Sequence, residues 1–199
     1  MKIGIKILGV VVLWLTSTIW LFSQQYTLTS PSGNISATIN VEESISLSAT
    51  LKGKDLFTLD NLAMEVAEDS KLFQVGKIKK EHRETIEAMY KPIVPIKTAE
   101  VSDKCNLLRL EFKKHAIEFR AYDEGIAYRF VGDLDKEVTV KGESMAINFA
   151  DGTMVWFPEE ESHFSHNERY YKHEKAESFS PGQFCSLSML AVPNGVNVL

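Results

Sequence analysis

The chain is poor in cysteine: Cys105 and Cys185 are its only two in 199 residues. Two thiols cannot form the disulfide framework that staples small secreted domains, so the fold must rest on a hydrophobic core. Sequence alone does not bring their Cα atoms to bridging distance, which leaves a single bridge and two separate thiols both open. Helical periodicity is also missing. After residue 23 no window keeps apolar residues at i, i+3, i+4 and i+7 beyond two turns, which excludes a helix bundle or a barrel of alternating strands and helices. Positive charge is in deficit, with 22 basic against 27 acidic residues and a formal net charge of −5. Without a basic stripe, nucleic acid and anionic membrane surfaces are excluded as partners. Phosphate-cradling glycine loops, nucleophile elbows and serine-centred triads are absent as well.

The N-terminus is organised in three zones. Lys2 and Lys6 give a positive start, Ile7 to Leu15 is apolar except for Gly9, and Thr16-Ser17-Thr18 is small and polar. Ile19 to Ser23 then leads into Gln24-Gln25. This is the layout of a secretory signal peptide over residues 1–23, with Ser23 the last residue removed. The competing reading is an uncleaved anchor, because Ile3 to Phe22 approaches the roughly 20 residues that cross a bilayer. With cleavage, the protein is periplasmic or secreted and has no membrane contact. Residues 24–199 then form one domain, long enough to bury a core without staples.

Those residues read as short strands separated by turns. Ser30-Pro31-Ser32-Gly33-Asn34 is a strong turn cluster. Ile35 to Val41 and Ser44 to Leu51 alternate with period two, as do Leu107 to Phe112 and Ala116 to Tyr122. Leu72 to Ile78, Val138 to Val140, Met145 to Phe149 and Thr153 to Phe157 are further expected strands. Ala63 to Leu72 fits a short helix or a strand and turn equally well. The charge run Lys79 to Glu84 reads as a solvated turn or strand edge, and Tyr90 to Pro95, with two prolines, as an extended edge or loop. About twelve or more strands in one domain require two packed sheets or a barrel, so the expected fold is an all-β two-sheet sandwich.

One polar segment stands out. Glu159 to His166, continued by Glu168, Tyr170, Tyr171, His173 and Glu174, mixes carboxylates, imidazoles and rings. His163 and His166 invite a metal reading, but zinc needs four ligands, or three and an open position, and no cysteine or periodicity completes such a set. The bland reading is a polar loop. A sugar reading fits better: Trp156, Phe164, Tyr170 and Tyr171 offer flat faces to a pyranose, while Glu161 and His163 bond hydroxyls. The candidate substrate-binding residues are Trp156, Glu161, His163 and Tyr170, although Trp156 ends an alternating strand and reads equally as core. Catalytic residues are not expected. Glycoside hydrolysis needs two carboxyls facing across the bond, roughly 5–9.5 Å apart, and the adjacent Asp123 and Glu124 splay apart in a solvated turn.

That turn belongs to the most specific segment of the chain: Phe119-Arg120-Ala121-Tyr122-Asp123-Glu124-Gly125-Ile126-Ala127-Tyr128-Arg129-Phe130. Aromatic, alternating runs flank Asp-Glu-Gly, the pattern of a β-hairpin, with Gly125 free to take the positive φ that closes it. Its wording resembles the N-terminal domain of the family-97 glycoside hydrolases, exported α-glucosidases and α-galactosidases. The Ser30–Val41 opening and the Trp156–Pro158 step resemble the same domain more loosely, and the likeness covers nearly all of residues 25–199.

The resemblance implies a galactose-mutarotase-like super-sandwich that precedes a catalytic (β/α)₈ barrel. It implies that this chain is non-catalytic, packs on that barrel and contributes to binding an α-linked oligosaccharide. It also implies calcium in the full-length enzyme only, held largely by barrel glutamates. A stand-alone exported carbohydrate-binding module is the alternative, and a ligand-free structural sandwich a third. Residues 195–199 read as the middle of a strand, which suggests truncation, and a barrel-facing side would leave an apolar patch uncovered. Preference for glucose or galactose, and retention or inversion, would reside in the barrel.

Overall fold

The computed structural model describes residues 24–69, 72–132, 134–164 and 168–198. The proposed signal peptide and His166 lie outside the described residues. The architecture is two antiparallel sheets facing each other across one core, with two small sheets appended.

The first sheet has five strands. β1 (Gln24–Thr29), β2 (Ile35–Val41), β3 (Ile45–Leu51) and β4 (Lys54–Val66) run as a meander, and β9 (Val140–Asn148) joins at the β4 edge. The second is the meander β5 (Lys80–Tyr90), β6 (Val101–Glu111), β7 (His115–Ala121) and β8 (Ile126–Gly132). Period-two alternation sets which side chains enter the core. On β2, Ile35, Ala37, Ile39 and Val41 are buried and the residues between them half-buried. Leu108, Leu110, Ile117 and Phe119 answer from β6 and β7. Each large aliphatic or aromatic side chain buried this way contributes about 1.5–3 kcal/mol. An exposed ion pair contributes about 0–1 kcal/mol. The alternation therefore holds the sandwich, and the surface charges decorate it.

Several expectations are corrected. Residues 74–79 form no strand; only Phe73 makes an isolated bridge, to Met64, while Val75 and Ile78 pack on the core from irregular backbone. The two strands expected at 138–140 and 145–149 are one continuous strand, β9. β4 runs on to Val66, which removes the helical option there. The charge run is the first half of β5, a sheet-edge strand, and residues 91–100 are the loop between β5 and β6. Gly125 does not take a positive φ. Tyr122 N–H donates to the Gly125 carbonyl at 2.8 Å, and Asp123 and Glu124 make the reversal themselves. Both cysteines are free thiols, Cys105 buried and Cys185 half-buried.

The two segments that resemble the family most meet in space. The Asp123 carboxylate accepts the Ser32 backbone N–H at 2.8 Å, locking the β7–β8 turn onto the β1–β2 turn. Hydrogen bonding from Ser32 holds the Asp123 carboxyl below the usual aspartate range.

The appended part carries β10 (Met154–Phe157), β11 (Glu159–Glu160), β12 (Lys172–Lys175), β13 (Phe184–Cys185) and β14 (Leu190–Val192). β10 is central between β12 and β14, and β11 pairs with β13. Val155, Phe157 and Ala191 form a small separate core against Phe149 and Phe179.

Candidate functional site

The candidate site grows from β10. Its alternation sends Val155 and Phe157 into the small core, where Phe157 stacks on Phe179 at 4.2 Å. Trp156 therefore points the other way and is 39% exposed, so it is an outward residue rather than core. In the β10–β12 register Trp156 lies opposite His173. Their rings stack at 3.9 Å with an interplanar angle of 11°. Leu190 of β14 lies opposite Trp156 on its other side. The result is a row of His173, Trp156 and Leu190 across a three-stranded sheet.

Phe157 pairs with Lys172, so Tyr170 and Tyr171 approach β12 beside the end of β10, where Pro158 and Glu159 leave it. The intervening loop is anchored by charge. Arg169 Nε donates to the buried Glu160 at 3.1 Å, and its Nη1 lies 3.8 Å from Glu161. Glu159 pairs with Lys172 and accepts from Gln183 Nε2 at 2.6 Å. The Lys172 and Gln183 partners hold the Glu159 carboxyl low, and Glu159 in turn raises Lys172.

The four sequence-predicted residues lie on β10, on the segment that leaves β11 and on the segment that enters β12, in different states. Trp156 is fixed by its stack. His163 stacks on Phe184 at 4.9 Å. Glu161 has an 86% exposed side chain and Tyr170 is fully exposed. Clefts lined by described residues lie between β1 and the β5–β6 pair, beside the β6–β7 turn, and on β7–β8 around Glu118; none of these three includes the four. What these segments offer chemically is exposed ring surface at Trp156 and Tyr170, an exposed carboxylate at Glu161 and an imidazole at His163.

Arg169 and Phe184 also matter to this site, and sequence reading did not single them out. Their signal exists only in pairing: Glu160 needs a cation once β11 buries it, and His163 needs a ring to lie on. Among the described residues no group of three or more His, Cys, Asp or Glu side chains is placed to hold a metal ion.

Comparison with known proteins bears on the whole chain. A family model described as "Glycosyl-hydrolase 97 N-terminal" matches residues 28–199. A retaining alpha-galactosidase of Bacteroides thetaiotaomicron is 32% identical over 121 residues, covering 60% of this chain and 18% of its own length. The solved structure of a family-97 glycoside hydrolase from Pseudoalteromonas sp. strain K8, in complex with acarbose, superposes with a TM-score of 0.67 at 18% identity. That match covers 85% of this chain and 27% of the relative. A variant of a family-97 enzyme from the same strain, in complex with panose, gives a TM-score of 0.60 at 19% identity over 75% of this chain and 24% of its own. The chain spans about a fifth to a quarter of the length of these relatives.

Proposed function

Because the chain belongs to the glycosyl-hydrolase 97 N-terminal family, we propose that it is the non-catalytic β-sandwich of an exported α-glycosidase, packing on a separate catalytic barrel and helping to hold an α-linked oligosaccharide. Coverage is the observation that carries this reading. The family match runs over residues 28–199, yet the chain accounts for only 18% of the α-galactosidase and 27% of the acarbose-bound relative. A whole relative's activity therefore draws on far more polypeptide than this chain supplies.

Two surfaces support the packing half. The β5–β6 loop carries Ile93, Val94 and Ile96 at 100, 70 and 86% exposed. β9, an edge strand, keeps Val140, Met145 and Ile147 about half exposed. Aliphatic side chains this exposed, repeated on two elements, fit surfaces that a neighbour covers. Supporting the sugar half is the fully exposed Tyr170, whose ring presents a flat face of the kind pyranose C–H groups lie on; Trp156 is also outward, with one face of its ring against His173. The leader-like residues 1–23 support a periplasmic or secreted location. Calcium takes six to eight oxygen ligands. Calcium in the intact enzyme, held largely by barrel glutamates, belongs to the same reading.

The test uses the intact enzyme. Alanine at Trp156, Glu161, His163 or Tyr170 is expected to raise KM for an α-linked oligosaccharide about fivefold to tenfold, about 1 kcal/mol of lost binding. Unchanged KM at all four positions removes the sugar role. The DNA after codon 199 should encode the alternating strand and helix pattern of a barrel; an unrelated gene there, with saccharide binding by the chain alone, would favour a stand-alone binding module.

A further inference from the structure

The cleft beside the β6–β7 turn is ringed by lysines. Its volume is about 400 Å³, in the range of small-ligand sites. Leu72, Val75, Phe112 and His115 supply its apolar lining, and Lys77, Lys79, Lys113 and Lys114 stand around it. Asp69 is the one carboxylate in the lining. The local backbone explains the convergence. Phe112 N–H donates to the His115 carbonyl at 2.8 Å, closing a two-residue turn whose tip is Lys113-Lys114. Lys79 N–H donates to the Glu111 carbonyl at 2.7 Å, which draws the irregular 74–79 segment alongside that turn.

None of the four lysines makes an ion pair among the described residues. In a chain of net charge −5, four unneutralised ammonium groups around a low-dielectric wall focus a local positive potential. His115 adds its ring to the wall of the cleft. His115 is buried, stacked on Phe112 at 4.5 Å, and its Nε2 meets no hydrogen-bond partner among the described residues.

We propose that this cleft binds an anionic saccharide, its sulfate or carboxylate groups meeting the lysines and its sugar ring lying along the apolar lining. The anion half rests on the cleft alone; the saccharide half rests on the family reading above.

Calorimetry on the 199-residue chain tests it with three probes: a sulfated heparin tetrasaccharide, an oligogalacturonate and inorganic sulfate. Binding of either charged saccharide, weakening as salt rises, is the expected result, and which of the two binds assigns the group. The double variants K77E/K79E and K113E/K114E are each expected to weaken it about tenfold or more. K54E/K141E changes net charge equally at exposed lysines elsewhere and should leave affinity unchanged. The substituted lysines are all exposed, so the variants keep the fold, and a thermal melt verifies this. The His115 Cε1–H resonance should titrate at higher pH with the saccharide bound, and the lysine variants should abolish that shift. No binding of either saccharide, or an equal loss in the control variant, overturns the site. Affinity for inorganic sulfate equal to that for the saccharides overturns the saccharide assignment. A neutral α-linked oligosaccharide reports separately on the Trp156 surface, so the two readings fail independently.

Discussion

Glu118 on β7 has 6% of its surface exposed. The cross-strand register supplies its cations, placing Arg109 of β6 on one side and Arg129 of β8 on the other. Arg109 Nη1 donates to one carboxylate oxygen at 2.7 Å and Arg129 Nε to the other at 2.5 Å. Burial pushes this carboxyl up, but the two guanidiniums outweigh it and hold it below the usual glutamate range. Removing the anion leaves Arg129 without its partner and Arg109 with Glu111 alone. We expect Glu118→Gln to lose about 2 kcal/mol in urea unfolding. Arg129→Ala should lose less than about 1 kcal/mol, since Arg129 is 63% exposed. The glycines divide by backbone in the same way. Gly53 sits at φ 77°, so Gly53→Ala should cost about 1 kcal/mol. Gly125 has an ordinary φ and open space where a Cβ would stand, so Gly125→Ala should change stability by less than about 0.5 kcal/mol.

At the scale of an element, the β6–β7 turn makes stability depend on pH. Burial pushes His115 below its ordinary value of 6.5, while a backbone hydrogen bond to Gln74 partly opposes this. The unfolded chain therefore takes the proton first. Stability is full above 6.5 and declines as pH falls from there through the lowered folded value. Glu118 acts in a lower window, its contribution present above 4.5 and lost as pH falls through its own depressed value. Urea midpoints measured from pH 8 to pH 3 should fall in two stages. His115→Phe should flatten the upper stage and leave the lower one. A single acid limb unaffected by that substitution would contradict the burial of a neutral imidazole. The β5 edge follows a different logic: Lys80, Glu81, His82, Arg83 and Glu84 line an unpaired strand edge with alternating charge, which discourages pairing with another chain.

At the scale of the whole molecule, the sandwich is closed by its own core in the middle and left apolar at the β5–β6 loop and at β9. If a catalytic neighbour covers these surfaces, the isolated chain should enhance a hydrophobic dye such as anilinonaphthalene sulfonate while keeping a cooperative unfolding transition. Replacing Ile93, Val94 and Ile96 together with serine should remove part of that signal without lowering the thermal midpoint, because none of the three is buried. Clean monomeric behaviour with negligible dye binding would count against a lost partner surface.

Some of this was legible before any coordinates. Alternation at Ile35–Val41 determined a core face, because period two leaves a side chain only two directions and one of them is the core; β7 alternates in sequence but is buried on both faces, with Glu118 held between arginines. The wording of Phe119–Phe130 carried the resemblance to the family that the match over residues 28–199 shows. Other features were not local, and only the tertiary structure decided them. Gly125 could be assigned neither a positive nor a negative φ from its neighbours, since the Tyr122–Gly125 hydrogen bond sets the turn. Trp156 read equally as core or surface, and the partner strands of β10 turned it outward against His173. Lys77, Lys79, Lys113 and Lys114 are two unremarkable pairs in the sequence, separated by more than thirty residues. Sequence reports which way a side chain leaves its own strand; which groups then share a space depends on chain segments it does not neighbour, and that is a property of packing alone.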